Sequence, residues 1–478
     1  MSFNQLPTEL KRKIFSYLGG KEYQTLRHVD SNCKAVIADM AKWRGRCTMN
    51  GIKPWKNQLI KLQYPSLKSD KYNHLKEKEF KLIFLLYKKW HKVINAGHFR
   101  FEAFDVTPEN FPPRISFENS TFSYDLLAGH FAVGTRNIGG ICFFDINERI
   151  DKTHEFHFNY YVDGIQFNSR EIERFNRFYF SIEMKLWITG NGTVINVVYF
   201  RNRIFFWDVN RKIKIQTPLI FRTAEFRKLL LSLRRGTDEY FYLINTVGET
   251  MNVIRLDYVE NEITTTEILK IYYTEDDSYE LIDFYAEGRK IMIIHQSRKL
   301  KNFLLTTIVK LPQSKPLPVT FSAYNDKYTA IAEVRKEILE YYKLIIPCIN
   351  VVIAYAIENA RKFIVQVSSF DKRNKHITTL KHYEIPERIM PGGSEITCMS
   401  LYFNHLFVAT TEGKLIIFKL KNLQHLKYLK FDKSLKRKII DTKVSNNKFK
   451  ITKYNDQIII LLESFTPEVK FMICDLNL

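Results

Sequence analysis

Cysteine is sparse in this chain: the six, at positions 33, 47, 142, 348, 398 and 474, are too scattered for a disulfide scaffold. No two have the C-x-x-C spacing of a zinc knuckle or a redox pair, so they read as buried or free thiols in a reducing compartment. With only 18 Gly and 14 Pro, a linker-dominated or low-complexity architecture is excluded. Long apolar runs are missing too. The nearest, Lys343 to Ile357, is broken by Pro347 and Asn350 and falls short of the ~18 residues a membrane helix needs. The opening MSFNQLPTELKRK carries no leader-like apolar core, which points to the cytoplasm or nucleus.

Signatures of catalysis are equally scarce. No G-x-x-x-x-G-K-[ST] phosphate loop and no G-x-S-x-G elbow occur. HEFH (His154 to His157) lacks the H-E-x-x-H spacing of a zinc helix and lies in an aromatic, strand-like run. GTRNIGG (Gly134 to Gly140) resembles a phosphate loop only on paper, because no helix follows to supply N–H donors. The expectation is a non-catalytic protein with no cofactor and no metal.

Aromatic residues and positive charge are abundant. The 37 Phe and 26 Tyr favour a β-rich body, since flat rings pack well on pleated surfaces. A net charge of +22 admits either a polyanion partner or a basic bias spread over the whole surface. Clusters are short (Lys433 to Lys438, Arg234–Arg235, Arg201 to Arg203), and a nucleic-acid stripe should be denser, so the dispersed reading is favoured. Arg136 and Arg298 join these arginines in or near turns. At 478 residues the chain should form two or three domains.

Residues 1 to about 50 read as short helices. Leu10, Ile14 and Leu18 share one face; Pro7 and Thr8 start that helix and Gly19–Gly20 stop it. A second helix covers Glu22 to Arg27, and a third carries Val36, Ile37, Met40 and Trp43. From 51 to 112 the chain stays helical, with a long stripe of Phe80, Ile83, Phe84, Tyr87, Trp90 and Ile94 closed by Gly97. After Pro112–Pro113 the period changes to two. Seven hairpin-like pairs of apolar runs follow, from HFAVGT/GGICFFDI to QIIILLE/VKFMICDL, at the spacing of four-stranded propeller blades. The expected fold is therefore mixed: a small all-α unit (1–50), a helical linker (51–112) and an all-β domain (113–478). That β domain reads as a β-propeller of about seven blades, with six or eight open. Thr329 to Lys343 fits an amphipathic helix or two strands equally well.

The segment Leu6 to Cys47 resembles an F-box. Leu6, Pro7, Glu9, Leu10, Ile14, Leu18, Leu26 and Val29 occupy that pattern, and Trp43–Arg44 match its closing aromatic. Cys33 stands where the family commonly has tryptophan, and Gly19–Gly20 replaces its usual turn. The β region resembles a divergent WD-type propeller, with Trp207–Asp208 as the literal Trp-Asp pair. These resemblances imply that Leu6, Pro7, Leu10, Ile14, Leu18, Leu26 and Val29 bind a Skp-type adaptor, and through it a cullin-RING ligase. The β domain would then hold a protein substrate, making the chain the recognition subunit of an SCF-type ubiquitin ligase. The alternative is an F-box scaffold outside degradation, its basic β domain on nucleic acid, chromatin or an anionic membrane.

Overall fold

A computed structural model describes residues 6–15, 31, 33–36, 43–49, 52–97, 99–105, 122–135, 140–145, 158–161, 183–200, 203–211, 213–220, 230–247, 250–273, 279–297, 303–311, 319–322, 329–333, 342–348, 351–359, 361–370, 376–385, 393–421, 430–431, 438–442, 446–464 and 468–476. Among the described residues the leading α-helices with defined bounds are α1 (Thr8–Phe15), α2 (Trp43–Met49), α3 (Lys56–Gln63) and α4 (Glu77–Ala96), and Ser31 and Cys33 to Val36 are helical as well. The expected second helix, Glu22 to Arg27, lies outside the described residues. So do Ile37 and Met40 of the third, whereas Trp43 opens a helix of its own.

Helix α4 shows how local sequence sets its ends. Glu79 Oε2 accepts the Lys76 N–H at 2.5 Å, and Glu77 and Glu79 place negative charge in the first turn, where the helix dipole is positive. At the other end Gly97 takes φ 69°, a left-handed conformation that costs a residue with a Cβ, and its N–H closes on the Val93 carbonyl at 2.7 Å. Between them Phe80, Ile83, Leu86, Tyr87, Trp90, Val93 and Ile94 are buried, while Phe84 is half-buried.

The described strands form seven sheets of four or five strands, most of them antiparallel meanders. Blade 1 holds Phe122–Leu127, His130–Thr135, Gly140–Asp145 and Phe158–Tyr161. Blade 2 holds Glu183–Ile188, Val194–Phe200, Arg203–Asp208 and Ile213–Ile220. Blade 3 runs Leu230–Arg235, Phe241–Val247, Thr250–Val259 and Glu262–Tyr272, with Val319–Ser322 added in parallel at its edge. Blade 4 holds Tyr279–Glu287, Lys290–Ser297, Phe303–Lys310 and Thr329–Glu333; blade 5 holds Tyr342–Cys348, Val351–Asn359, Lys362–Phe370 and His376–Glu384. Blade 6 holds Ile396–Tyr402, His405–Thr410 and Lys414–Lys421, the last pairing with both Lys430–Phe431 and Lys438–Asp441. Blade 7 holds Asn446–Tyr454, Gln457–Ser464 and Glu468–Asp475.

Blade 7 takes its fourth strand from far upstream. Arg100–Asp105 pairs antiparallel with Glu468–Asp475, from Arg100 opposite Ile473 to Asp105 opposite Glu468. This strand falls inside the stretch assigned to the helical linker, so the β structure begins before Pro112–Pro113. Joining the two ends of the domain in one sheet covers the edge that an open array would expose. First strands of neighbouring blades adjoin between 7 and 1, 1 and 2, 2 and 3, 4 and 5, and 6 and 7. An apolar cluster of Tyr242, Ile244, Phe284 and Ile293 joins blades 3 and 4, and blade 5 adjoins blade 6. The ring is thus a β-propeller.

Two further expectations resolve here. The Thr329 to Lys343 segment is strand at both described ends, Thr329–Glu333 pairing with blade 4 and Tyr342 opening blade 5. Cys33, Cys47 and Cys398 are buried thiols in no disulfide. The Cys47 thiol lies 3.4 Å from the Phe80 carbonyl, and burial pushes its pKa up to about 11, as an inert structural thiol requires.

Candidate functional site

The helices are not a tether hanging from the propeller; they lie across one of its faces. That face carries the turns between the first and second strands of the blades. Trp55 and Trp90, both fully buried, stack edge-on against Phe403 in such a turn at 6.2 and 5.7 Å between centroids. Across the ring, the Ser69 N–H donates to Glu239 Oε2 at 2.8 Å and the Tyr72 hydroxyl donates to the Thr237 carbonyl, both in the corresponding turn of blade 3. At Gly190, in the turn of blade 2, an added Cβ would come within 2.8 Å of Lys68 Cε.

Trp90 is the deepest anchor. Its indole N–H donates to His405 Nδ1 at 3.0 Å, which requires that nitrogen to be unprotonated. His91 lies tilted against His405 at 4.8 Å between centroids, with Tyr87 edge-on to His91 at 4.3 Å. Burial, then the Lys419 and Lys88 charges, pull His91 down to about 3; burial with His91 and Lys419 also holds His405 well below its ordinary value. Helix α2 joins the same assembly: Glu77 Oε2 accepts the Trp43 N–H at 2.7 Å, and Trp43 lies 5.5 Å from Phe84.

Helix α1 presents the expected adaptor-binding residues as far as they are described. Leu10 and Ile14 are 45% and 41% exposed, one turn apart on the same face. Pro7 is exposed and Leu6 half-buried. Leu18, Leu26 and Val29 lie outside the described residues, so nothing brings the full set of seven together.

Charge is concentrated inside the ring, where sequence alone did not place it. Asp125, on the first strand of blade 1, is wholly buried and accepts the Leu186 N–H of blade 2 at 2.6 Å. Arg235 of blade 3 approaches the same carboxylate at 3.3 Å and Lys450 of blade 7 at 3.9 Å. Burial alone would raise the Asp125 pKa, but Arg235, Lys450 and Lys185 outweigh it and hold it down. The pattern repeats one blade on: Glu183 of blade 2 accepts the Leu233 N–H of blade 3 at 3.3 Å and faces Arg234 at 3.8 Å. Each carboxylate thus satisfies a backbone donor of the next blade while meeting a cation, which the interior demands of buried charge. Arg234 and Arg235 end the first strand of blade 3, beside its turn as expected, and face these two carboxylates. Arg136, Arg201, Arg298 and His154 to His157 lie outside the described residues. Among the described residues no group of acidic, His or Cys side chains could hold a metal, and no helix is long and apolar enough to cross a membrane.

Where α3 crosses the turns of blades 1, 2, 3 and 7 it roofs a half-enclosed cavity of about 310 Å³. Lys61, Leu62, Trp187, Arg235, Asp238 and Tyr240 line it. Asp238 accepts from Tyr242 Oη at 2.7 Å, Gly288 N at 3.0 Å and Tyr240 N at 3.2 Å. Burial nevertheless raises its pKa to about 7. Neither Lys61 nor Asp238 was a candidate from sequence. An acidic residue isolated in an apolar run, as in FSYDLLAG, is the signal that marks Asp125.

The chain matches no protein-family model and no curated protein. Solved structures similar to it include the β-propeller domain of Myceliophteria thermophila Cps50 (Swd1), at 9% identity, 74% of this chain, 98% of that chain and a TM-score of 0.39. Saccharomyces cerevisiae Sqt1 matches at 8% identity over 78% of this chain and 97% of its own, with a TM-score of 0.42. Kluyveromyces lactis Hsv2 matches at 12% identity over 71% and 88%, with a TM-score of 0.38. The propeller assignment stands on the strand pairing itself.

Proposed function

We propose that this chain is the substrate-recognition subunit of an SCF-type ubiquitin ligase, docking a Skp-type adaptor through α1 and presenting the propeller to a protein target. The single observation that carries this reading is the apolar face of α1. Leu10 and Ile14 stand in water directly after Leu6–Pro7, in the order of the F-box pattern, and large aliphatic side chains are exposed side by side chiefly where a partner covers them. The packed helical cap supports it as well. A ligase must hold its target at a fixed reach from the ubiquitin-loaded enzyme, and Trp90 locks the helix nearest the propeller onto blade 6. Catalysis in this reading belongs to other subunits. The inward pairing of Arg234, Arg235 and Lys450 removes charge from any nucleic-acid stripe, which favours the receptor over the scaffold alternative.

The test is affinity purification of the full chain and of a chain lacking residues 1–50, each scored for adaptor and for other bound proteins. Loss of the adaptor alone fits the receptor; retention of the adaptor by the truncated chain contradicts it.

A further inference from the structure

Unlike the paired charges of the channel, the charge on the helical cap is one-sided. Residues 43–97 hold 13 of the chain's 73 Lys and Arg but only 3 of its 51 acidic residues, close to half of the net charge of +22. Helix α4 carries much of it. Glu77 and Glu79 are engaged by the Trp43 and Lys76 N–H groups, and beyond Glu79 the helix has no acidic residue while Lys81, Lys88, Lys89 and Lys92 follow. Its inner face is buried on the propeller. On its outer face Leu82 and Leu85, three residues apart and so neighbours on the helix surface, are 47% and 36% exposed. Cations flank them. Lys81 Nζ, one turn before Leu85, lies 5.8 Å from the centre of the half-buried Trp43 ring, with Arg46 Cζ over the same ring at 4.4 Å. Lys88 Nζ, one turn after Leu85, lies 5.5 Å from the centre of the Phe84 ring.

From this arrangement we propose that the outer face of α4 is a docking surface for an acidic amphipathic α-helix of a protein partner. The partner's apolar side chains cover Leu82 and Leu85, and its carboxylates meet Lys81 and Lys88. Charge complementarity selects an acidic occupant, and two leucines one turn apart match the i, i+3 anchors through which helices grip their partners. The 20 residues of α4 span about 30 Å, enough to seat several turns of such a segment. A lipid surface fits less well, because a helix lying in a membrane interface inserts a wide apolar face, and the wide face of α4 is committed to the propeller through Trp90. Single-stranded nucleic acid needs open rings for its bases to stack on, whereas Arg46 and Lys81 sit over Trp43 and Lys88 over Phe84. The proposal uses no residue of α1, so it stands or falls apart from the adaptor-binding reading.

The test is fluorescence anisotropy on the full chain with a labelled peptide of about 20 residues, built on Glu with Leu at alternating three- and four-residue steps so that one helical face is apolar. A scrambled peptide of the same composition, the same pattern with Lys in place of Glu, phosphatidylserine vesicles and single-stranded oligothymidylate complete the set. The expected result is saturable binding of the patterned acidic peptide that weakens as salt is raised. Leu82→Gln/Leu85→Gln should bind it at least about tenfold more weakly, and Lys81→Gln/Lys88→Gln at least about threefold, with less salt dependence. Leu10→Asp/Ile14→Asp should bind it like wild type. All four substituted positions on α4 are exposed, so both variants should keep the wild-type circular dichroism; if the leucine variant does not fold, the lysine variant decides alone. Absence of saturable binding, equal binding of the scrambled or lysine-patterned peptide, or unchanged affinity in either folded variant overturns the proposal. So does binding of the vesicles or the oligonucleotide that is tighter than that of the peptide and is lost in the same variants.

Discussion

Trp90→Ala is the perturbation whose cost follows most directly from the structure. The indole is 0% exposed and packs between Phe403, His405 and Phe407 of blade 6, at 5.7, 5.8 and 6.2 Å between ring centroids. Truncating a buried tryptophan to alanine costs about 3–5 kcal/mol in lost burial and cavity. His405 Nδ1 would also lose its donor in a site closed to water, at about 1–3 kcal/mol. The two terms overlap, so a total of about 4–6 kcal/mol is expected, a large share of a typical folding free energy of about 5–15 kcal/mol. Trp90→Phe isolates the second term and should cost about 1–3 kcal/mol. Urea unfolding followed by circular dichroism gives the totals. Limited proteolysis shows where the loss falls: wild type should resist cleavage between residues 77 and 97, and the alanine variant should be cut there first. A loss below about 1 kcal/mol with no change in the cleavage pattern would refute the packing of α4 on the propeller.

Asp125→Asn keeps the shape of the side chain but removes the negative charge that Arg235 and Lys450 face in the ring interior. It should cost about 1.5–3 kcal/mol in the same urea assay, and an unchanged midpoint would remove the interblade charge network from the account. His295, held by the Tyr273 hydroxyl at 2.7 Å and Thr307 Oγ1 at 3.1 Å, has its pKa pulled down to about 3 by burial. Its folded value lies below the unfolded one, so the unfolded chain binds the extra proton between about pH 6.5 and 3, and stability is lost as pH falls through that window. Relative to His295→Gln, wild type should lose about 2 kcal/mol between pH 7 and pH 5; parallel pH profiles would contradict a neutral buried imidazole.

The parts of the fold legible in the sequence were those where burial is symmetric. Each of the seven hairpins read from the chain is the second-and-third-strand pair of a sheet: HFAVGT/GGICFFDI lies in blade 1 and HLFVATT/KLIIFKL in blade 6. Those middle strands are covered on both faces, as in His405–Thr410 where all six residues are buried, and so read as apolar runs. First strands were missed because they line the channel and carry charge: Glu183 and Lys185 interrupt the strand that holds Leu186 and Trp187. The strand Arg100–Asp105 was missed because its partner stands more than 360 residues away in sequence, where no local period can reveal it. The stripe from Phe80 to Ile94 gave α4 correctly, but which surface would cover it depended on Phe403 and His405, which only the closed ring brings near. Lys61 could not be singled out either, being one lysine among many until α3 is laid over the turns.

The most direct test of the central claim is binding of the full chain to a purified Skp-type adaptor by size-exclusion chromatography and calorimetry, comparing wild type with Leu10→Asp/Ile14→Asp. Both side chains project into solvent, so the pair should leave folding intact within about 0.5 kcal/mol per site. The account predicts a one-to-one complex for wild type and a loss of at least about a hundredfold in affinity for the variant, as expected when two anchors of an apolar interface become charged. Equal affinity of the two proteins, or no complex with wild type, would contradict it.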